Sequence, residues 1–322
     1  MLHNTDFLDV PAGIASHTRL AALCCLFQVR QNPLVVSNYL RFAATLQAVG
    51  IPLYTIECTL PGEPFAIPQT GTTMRRVAKT VGWHKERLLN ILARRVPPRF
   101  TKLAWLDADI ILHNQSWAYE TERLLDHHHV VQPFTAARWL DQNGKTLPEV
   151  QGPDVRCCDG SVAYLTQHGL VPTLFANTHP GFAWAMRRDT WLSLGGLCDR
   201  VLTMAGDSVM LCGFTNMYWQ PEVRQHCDRI KSIADWFQLA HETVGGDLVS
   251  VPGMVDHLWH GYWNNRQYMS FGQKIFALNH DFDAAVVEDP AGPGDQVRIV
   301  RDPALLAIYR RYFKIRNTVI RT

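Results

Sequence analysis

The sequence predicts an α/β protein built on a doubly wound sheet with helices on both faces. Three observations carry this expectation. Two short, largely apolar runs, Leu20–Val29 and Lys102–Leu106, lack a helical polar face and read as strands buried on both sides. Helical patterns with marked ends lie between them. The resulting order, strand–helix–strand–helix–strand, is that of a parallel sheet whose crossovers are helices.

The elements follow in order. After the first strand, Asn32-Pro33 supplies an N-cap and a proline at the first helical position. Val36, Leu40, Ala43 and Leu46 then recur at helical spacing as far as Gly50. Pro52–Cys58 is the second strand. A loop rich in proline and glycine, Leu60–Gly71, leads to a third extended piece, Thr72–Thr80. Trp83–Arg95 carries Leu88 and Leu92 on a helix that Pro97-Pro98 stops. Lys102–Leu106 runs directly into Asp107. The second half is less regular. Asp141–Cys158 is a charged loop of a length usually tied to function. Short helices are expected at Thr190–Leu194 and Val209–Phe214, and a longer one at Lys231–Thr243. Leu248–Leu258 reads as a strand interrupted at Pro252-Gly253, and a last helix spans Pro303–Ile315. No repeat or low-complexity linker divides the chain. Residues 1–280 are therefore expected to form one domain, with 281–322 a C-terminal helical extension packed on it.

With 47% hydrophobic and 19% charged residues, the composition is that of an ordinary globular protein. The net charge of +2 says little, but its distribution is uneven. Nine Lys/Arg and one acid, Glu86, fall between Arg75 and Lys102; seven basic residues face one acid, Asp302, from Arg298 onward. Solvated faces and contacts to an anionic ligand both fit such runs. The eight cysteines include the adjacent pairs Cys24-Cys25 and Cys157-Cys158 but no C-x-x-C. Neither a disulfide framework nor a zinc site is expected, which points to a reducing cytoplasmic compartment. Leu20–Val29 is too short to span a bilayer and no cleavage site follows it, so neither a membrane segment nor a cleaved signal is expected.

Asp107-Ala108-Asp109 carries the first chemistry. Two carboxylates at i and i+2, leaving a buried strand, can converge on one hard cation, and the small residue between them leaves room for a phosphate or sugar. In a parallel sheet, ligands bind beyond the carboxyl ends of the strands, where this tripeptide sits. Gln28 and Arg30 end the first strand and Glu57 the second, so all three are candidates for the same pocket.

Three stretches together resemble the bacterial and phage glycosyltransferases of the GT-A superfamily. The first is Trp83-His84-Lys85-Glu86-Arg87-Leu88-Leu89-Asn90, one helix upstream of the D-x-D. The second is Pro180-Gly181-Phe182-Ala183-Trp184 with Trp191, Gly195-Gly196-Leu197 and Gly206-Asp207-Ser208. The third is His257-Leu258-Trp259-His260-Gly261 with Asn265-Arg266-Gln267-Tyr268. Their order and spacing agree over roughly residues 20–278. The resemblance implies a GT-A fold, a single Rossmann-like mixed sheet flanked by helices with the D-x-D at a strand end. It implies transfer of a sugar from a nucleotide-sugar, with a UDP-sugar the expected donor, to a hydroxyl acceptor with inversion. A Mn²⁺ or Mg²⁺ ion held by Asp107, Asp109 and a late histidine would neutralise the leaving diphosphate. His260 is the favoured histidine and His257 its rival. Lys85 and Asn90 would flank the donor, Arg266 would touch its phosphates, and Glu57 would read its base or ribose. Gly181 and Trp184 would floor the sugar and acceptor pocket. Asp207 stands where the family places its catalytic base. The family often has two adjacent acids there, whereas Ser208 follows here, so base, acceptor contact and helix cap all remain open for Asp207.

Trp259, Tyr262 and Trp263 crowd around His260 and suit stacking on a base or a lid. A nucleotidyltransferase is disfavoured because no glycine-rich loop follows the first strand. A non-catalytic carbohydrate- or nucleotide-binding module is the alternative of another class, separable by donor hydrolysis with and without Mn²⁺. Glycans and hydroxymethylated-pyrimidine DNA both offer acceptor hydroxyls, and for DNA the two basic runs would be phosphate contacts.

Overall fold

The two apolar runs lie side by side at the centre of the fold. The computed structural model describes residues 7–27, 32–147, 158–169, 178–203, 206–216, 227–262, 265, 267–278, 282–288 and 296–317. Strand β1 (Leu20–Phe27), helix α1 (Pro33–Ala48), β2 (Leu53–Thr59), β3 (Thr73–Val77), α2 (Lys85–Ala93) and β4 (Lys102–Leu106) succeed one another in the predicted order. The Leu34 amide donates to the Asn32 side chain at 3.2 Å, Pro33 opens α1, and Gly50 follows its end at φ +68. Side chains alternate across the central strands. Ala21, Leu23, Leu103 and Trp105 enter one core with α2, while Leu20, Ala22, Ala104 and Leu106 enter a second core with α1.

Beyond β4 come β5 (Ile110–Leu112), α3 (Trp117–Leu124), β6 (Val130–Gln132), β7 (Ala136–Trp139), β8 (Cys158–Ser161) and α4 (Val162–Gln167). Then follow β9 (Thr178–His179), β10 (Ala183–Arg187), α5 (Arg188–Ser193), α6 (Gly206–Thr215), α7 (Lys231–Val244), β11 (Leu248–Ser250) and β12 (Met254–His257). Helix α8 (Tyr268–Phe276), a strand pair β13 (Val286–Val287) and β14 (Ile299–Val300), and α9 (Pro303–Arg316) end the described chain. The central sheet has seven strands in the order β11-β6-β10-β4-β1-β2-β3. It is parallel except for β10, which runs antiparallel between β4 and β6. This is the mixed α/β sheet the sequence predicts.

A second sheet of five strands, β5-β12-β7-β8-β9, is an addition that the sequence pattern does not predict. Its strands are two to four residues long, too short for a period-2 pattern to register. Among the described elements the chain passes between the two sheets at β4 to β5, β5 to β6, β6 to β7, β9 to β10, and β11 to β12. The last crossing is the predicted Pro252-Gly253 interruption. Gly253 is at φ +151, and a Cβ there would lie 2.9 Å from the Asn114 Cβ, so glycine allows the close passage.

The C-terminal segment is tied into the first core. The Tyr309 hydroxyl donates to the Leu202 carbonyl at 2.6 Å, and the buried Arg298 donates to the Asp199 carbonyl and to Glu288, both at 2.7 Å. Among the described residues no helix is long and apolar enough to cross a membrane.

Candidate metal and catalytic site

The β4-to-β5 crossing is Asp107-Ala108-Asp109, the β9-to-β10 crossing is Pro180-Gly181-Phe182, and β12 ends at His257. The seam between the sheets therefore gathers the candidate residues. Backbone bonds stitch it: the Asp107 amide donates to the Phe182 carbonyl at 2.8 Å, and Leu258 to the Asp109 carbonyl at 2.7 Å. Phe182 adopts φ +77, a left-handed conformation rare for an aromatic residue and typical of a constrained site.

Two clusters form there. In the first, Asp109, His257 and His260 bring their ligand atoms within 4.8 Å of one another. His257 Nε2 lies 3.7 Å from Asp109 Oδ1, and His260 Nδ1 is in close contact with Asp109 Oδ2. Both histidines are buried, and their rings meet edge to face at 4.7 Å. The close His260–Asp109 contact lacks hydrogen-bond geometry, which leaves His260 Nδ1 without a bonded partner. Ligand atoms that converge in this way could hold one cation. Two imidazoles and a carboxylate suit Mn²⁺ and its neighbours better than Mg²⁺, which favours an all-oxygen shell. The fold brings both His260 and its rival His257 to Asp109.

The second cluster carries its own cation. Lys85 Nζ sits 2.8 Å from Asp107 Oδ1 and 3.0 Å from Asp207 Oδ2, with Lys85 and Asp207 side chains each 14% exposed. Burial disfavours the Lys85 charge, but Asp107, Asp207 and Glu86 outweigh it and hold the ammonium well above the ordinary lysine range. Burial pushes Asp107 up to about 6; Lys85 opposes the rise, whereas Asp207 and Asp109 add to it. Asp107 is thus engaged by Lys85 rather than grouped with the Asp109 ligand atoms, which departs from the ligand set the resemblance implies. Asp207 is the second residue of α6, inside the helix rather than at the N-cap position before it, and its carboxylate is turned to Lys85.

Behind Lys85 stands Glu86, 2% exposed, with Oε1 lacking any hydrogen-bond partner. Burial pushes its carboxyl up to about 8, against the pull of Lys85 and with the push of Asp207, so it is protonated at neutral pH. A Cβ on Gly206 would fall 1.8 Å from that oxygen, so α6 starts directly against the acid.

Gly181 faces Asp207. A Cβ there would lie 2.8 Å from His179 Cε1 and 3.4 Å from Asp207 Oδ2, so any side chain at this position would clash with the imidazole. His179, which no sequence motif singles out, accepts a hydrogen bond from the Gly181 amide on Nδ1 at 3.0 Å and stacks on Phe182 at 4.1 Å.

Three candidates have structural duties instead. Glu57 is fully buried and accepts the amides of Ala66 and Ile67 at 2.5 and 3.2 Å, so its carboxylate anchors the proline-rich loop and is not free to read a base. Asn90, 3% exposed, donates to the Leu197 carbonyl at 2.9 Å and accepts the Leu197 amide at 2.8 Å, which spends its amide on the Gly-Gly turn rather than on a donor. Trp184 is 2% exposed, donates to the Pro180 carbonyl at 2.6 Å and stacks on Trp105, so its face belongs to the core and not to a sugar. Gln28, Arg30 and Arg266 lie outside the described residues, as do Trp263 and residues 148–157 of the charged loop. The Trp259–Tyr262 pair packs edge to face at 5.7 Å beside His260, and the Asn38 amide on α1 holds the Trp259 carbonyl at 3.0 Å. Much of the first basic run is consumed internally. Arg75 donates to the Ile67 carbonyl, Arg87 to Asp199 and Glu288, Arg99 to the Ala15 carbonyl, and Lys102 pairs with Asp126.

No protein-family model matches the chain, and no curated protein matches its sequence. Solved structures show partial likenesses. The catalytic domain of Drosophila β1,4-galactosyltransferase 7, in complex with xylobiose, aligns at 10% identity over 72% of this chain and 63% of its own, with a TM-score of 0.32. This chain therefore spans less than two thirds of that domain. Glucosyl-3-phosphoglycerate synthase from Mycobacterium tuberculosis, in complex with Mg²⁺ and UDP, aligns at 11% identity over 88% of each chain, with a TM-score of 0.38. A protein of Desulfovibrio desulfuricans G20 named as a nucleotide-diphospho-sugar transferase aligns at 11% identity over 92% of this chain and 98% of its own, with a TM-score of 0.31.

Proposed function

We propose that the chain is a Mn²⁺-dependent glycosyltransferase of the GT-A type that moves a sugar from a nucleotide-sugar, with UDP-sugars the leading donors, to a hydroxyl acceptor with inversion. The observation that carries this reading is the pairing of two dissimilar clusters at one seam. Asp109, His257 and His260 form a ligand set for a divalent cation beside Lys85, Asp107 and Asp207, which form an acid–base group with its own counter-charge. When bound, the cation supplies neutralisation of the leaving diphosphate.

The chain's own residues supply the rest. Asp207 takes the proton of the acceptor hydroxyl as its oxygen bonds to the anomeric carbon, while the bond from that carbon to the diphosphate oxygen breaks and its electron pair leaves with the diphosphate. A single displacement of this kind needs one base and inverts the anomeric centre. Lys85 orients Asp207 and lies beside Asp107, where its charge also suits the incoming diphosphate. Asp107, 30% exposed at the seam, is placed to meet the donor. Hydroxymethylated-pyrimidine DNA as acceptor draws support from the second basic run alone. There Arg310, Arg311 and Lys314 lie on the exposed side of α9, where they would meet phosphates.

The test is a panel of nucleotide-sugars screened for Mn²⁺-dependent thermal stabilisation, repeated with Asp109→Ala. Stabilisation by one nucleotide class, lost with EDTA and in the variant, is the expected result. Equal stabilisation of the variant contradicts the metal assignment, and stabilisation without any turnover or hydrolysis of the donor favours the non-catalytic binding module.

A further inference from the structure

The reaction proposed above leaves one buried acid at the seam without a part. Glu86 follows Lys85 at the start of α2, is 2% exposed, and among the described residues its Oε1 has no hydrogen-bond partner. The neighbouring ammonium is already held, with Lys85 Nζ at 2.8 Å from Asp107 and 3.0 Å from Asp207. An ionised carboxylate so placed is strongly disfavoured, whereas the neutral acid is tolerated. Burial accordingly pushes Glu86 up to about 8; Lys85 opposes the rise, and Asp207 and Asp199 add to it. These three are the charged groups that face it, from α2, α6 and the chain between α5 and α6. Tyr309 of α9, Cys198 and Cys25 of β1 also face it. The tyrosine donates its proton to the Leu202 carbonyl, and burial holds both thiols well above their ordinary range, so all three are neutral. The Glu86 head is also wedged in place. A Cβ on Gly206, the first residue of α6, would fall 1.8 Å from Oε1 and 2.6 Å from the carboxyl carbon. The acid therefore lies against the backbone one residue from Asp207 and one residue from the lysine that pairs with it.

We propose that Glu86 is a positioning residue for the transfer reaction: seated under Gly206, its carboxyl group fixes the turn that carries Asp207 and leaves the Lys85 ammonium to Asp207 and Asp107. This inference rests on the glycosyl-transfer reading, in which Asp207 is the base. Glu86 touches neither substrate nor reacting atoms; it acts through Asp207 and Lys85. The protonated acid is the working form. Without its proton, Glu86 competes for Lys85, and its charge repels both Asp207 and an incoming diphosphate. The working form is present at neutral pH and lost as pH rises through about 8. Turnover thus acquires an alkaline limit, which a carboxylate base that needs only to be ionised does not impose.

The experiment follows hydrolysis of the nucleotide-sugar selected by the thermal screen, as a function of pH, in wild type, Glu86→Gln, Glu86→Ala and Gly206→Ala. Mn²⁺-dependent UDP binding is measured on each as a readout that does not involve the base. In wild type, kcat should fall about 10-fold between about pH 7 and 9, as one group ionises near 8. In Glu86→Gln, which has the same shape and no proton to lose, the fall should be less than about 2-fold. At neutral pH, Glu86→Ala and Gly206→Ala should lower kcat about 10-fold or more with UDP binding within about 3-fold of wild type, and Glu86→Gln should recover most of that loss. Infrared difference spectra of wild type alone, taken across the same pH range, should lose the carbonyl band of one protonated carboxylic acid; this readout needs no variant to fold. Equal alkaline limits in wild type and Glu86→Gln, no limit in wild type, wild-type kcat in Glu86→Ala, or no such infrared band overturns the inference and leaves the donor reading intact. Absence of Mn²⁺-dependent UDP binding to wild type, or binding without hydrolysis of the donor, overturns the glycosyl-transfer reading and this inference with it.

Discussion

The two clusters at the seam meet in one tripeptide and are opposite in kind. Lys85 gives the Asp107–Asp207 pair an internal cation, so that group carries its counter-charge within the protein. In the other group, the ligand atoms of Asp109, His257 and His260 lie within 4.8 Å of one another, and no lysine or arginine among the described residues pairs with Asp109. Burying converging acceptors is costly unless a positive charge joins them. The difference teaches that the two aspartates of one D-x-D have different surroundings: Asp109 lies with two histidines, and Asp107 with a lysine.

Substitutions can break or sharpen this contrast. The largest effect is expected from Asp207→Asn, which keeps the shape of the second cluster and removes its basicity. Its kcat should fall by about 10²- to 10⁴-fold while Mn²⁺ and UDP binding stay close to wild type; a comparable loss of Mn²⁺ affinity would merge the two clusters into one. His257→Ala and His260→Ala come next. Each should weaken Mn²⁺ affinity by about 10- to 100-fold, read by titration calorimetry, because each removes one of three ligands. A variant of either histidine that binds Mn²⁺ as wild type does would remove that residue from the site.

The smallest effect is on stability and concerns Glu86. Its carboxyl rises from an ordinary value of 4.5 to about 8 in the folded chain, chiefly through burial. Between those values the folded chain holds a proton that the unfolded chain releases. The stability linked to that proton is fully present below about 4.5 and is lost as pH rises through about 8. Glu86→Gln, which keeps the neutral shape, should therefore raise Tm relative to wild type at pH 9 and change it little at pH 5. An equal Tm difference at both pH values would show that the Glu86 proton is not linked to folding.

Much of the fold was legible because its signals are local. The buried central strands read as unbroken apolar runs, α1 announces both ends through Asn32-Pro33 and Gly50, and Pro252-Gly253 marks the passage between sheets. The second sheet was not legible, since its short strands are held by pairing partners distant in sequence rather than by their own pattern. The site divides in the same way. Asp107 and Asp109 stand at a strand end, where position makes them candidates, whereas Lys85 and Asp207 become candidates through the resemblance. His257 and His260 read as rivals for one ligand position, and only the fold brings both to Asp109. Glu57, Asn90 and Trp184 look identical in sequence whether they face a ligand or the protein. Only the fold reveals that the Ala66 and Ile67 amides, the Leu197 main chain and Trp105 already occupy them. His179 carries no sequence signal at all, because its place beside Gly181 depends on β9 joining a sheet assembled from distant segments.

The division of labour between the clusters is tested most directly by counting bound Mn²⁺. Electron paramagnetic resonance reads the free ion during titration of wild type, Asp109→Ala and Lys85→Met. One site per chain in wild type, lost in Asp109→Ala and retained in Lys85→Met, is the predicted result. Retention of that site in Asp109→Ala, or its loss in Lys85→Met alone, would contradict the assignment of the metal to Asp109, His257 and His260.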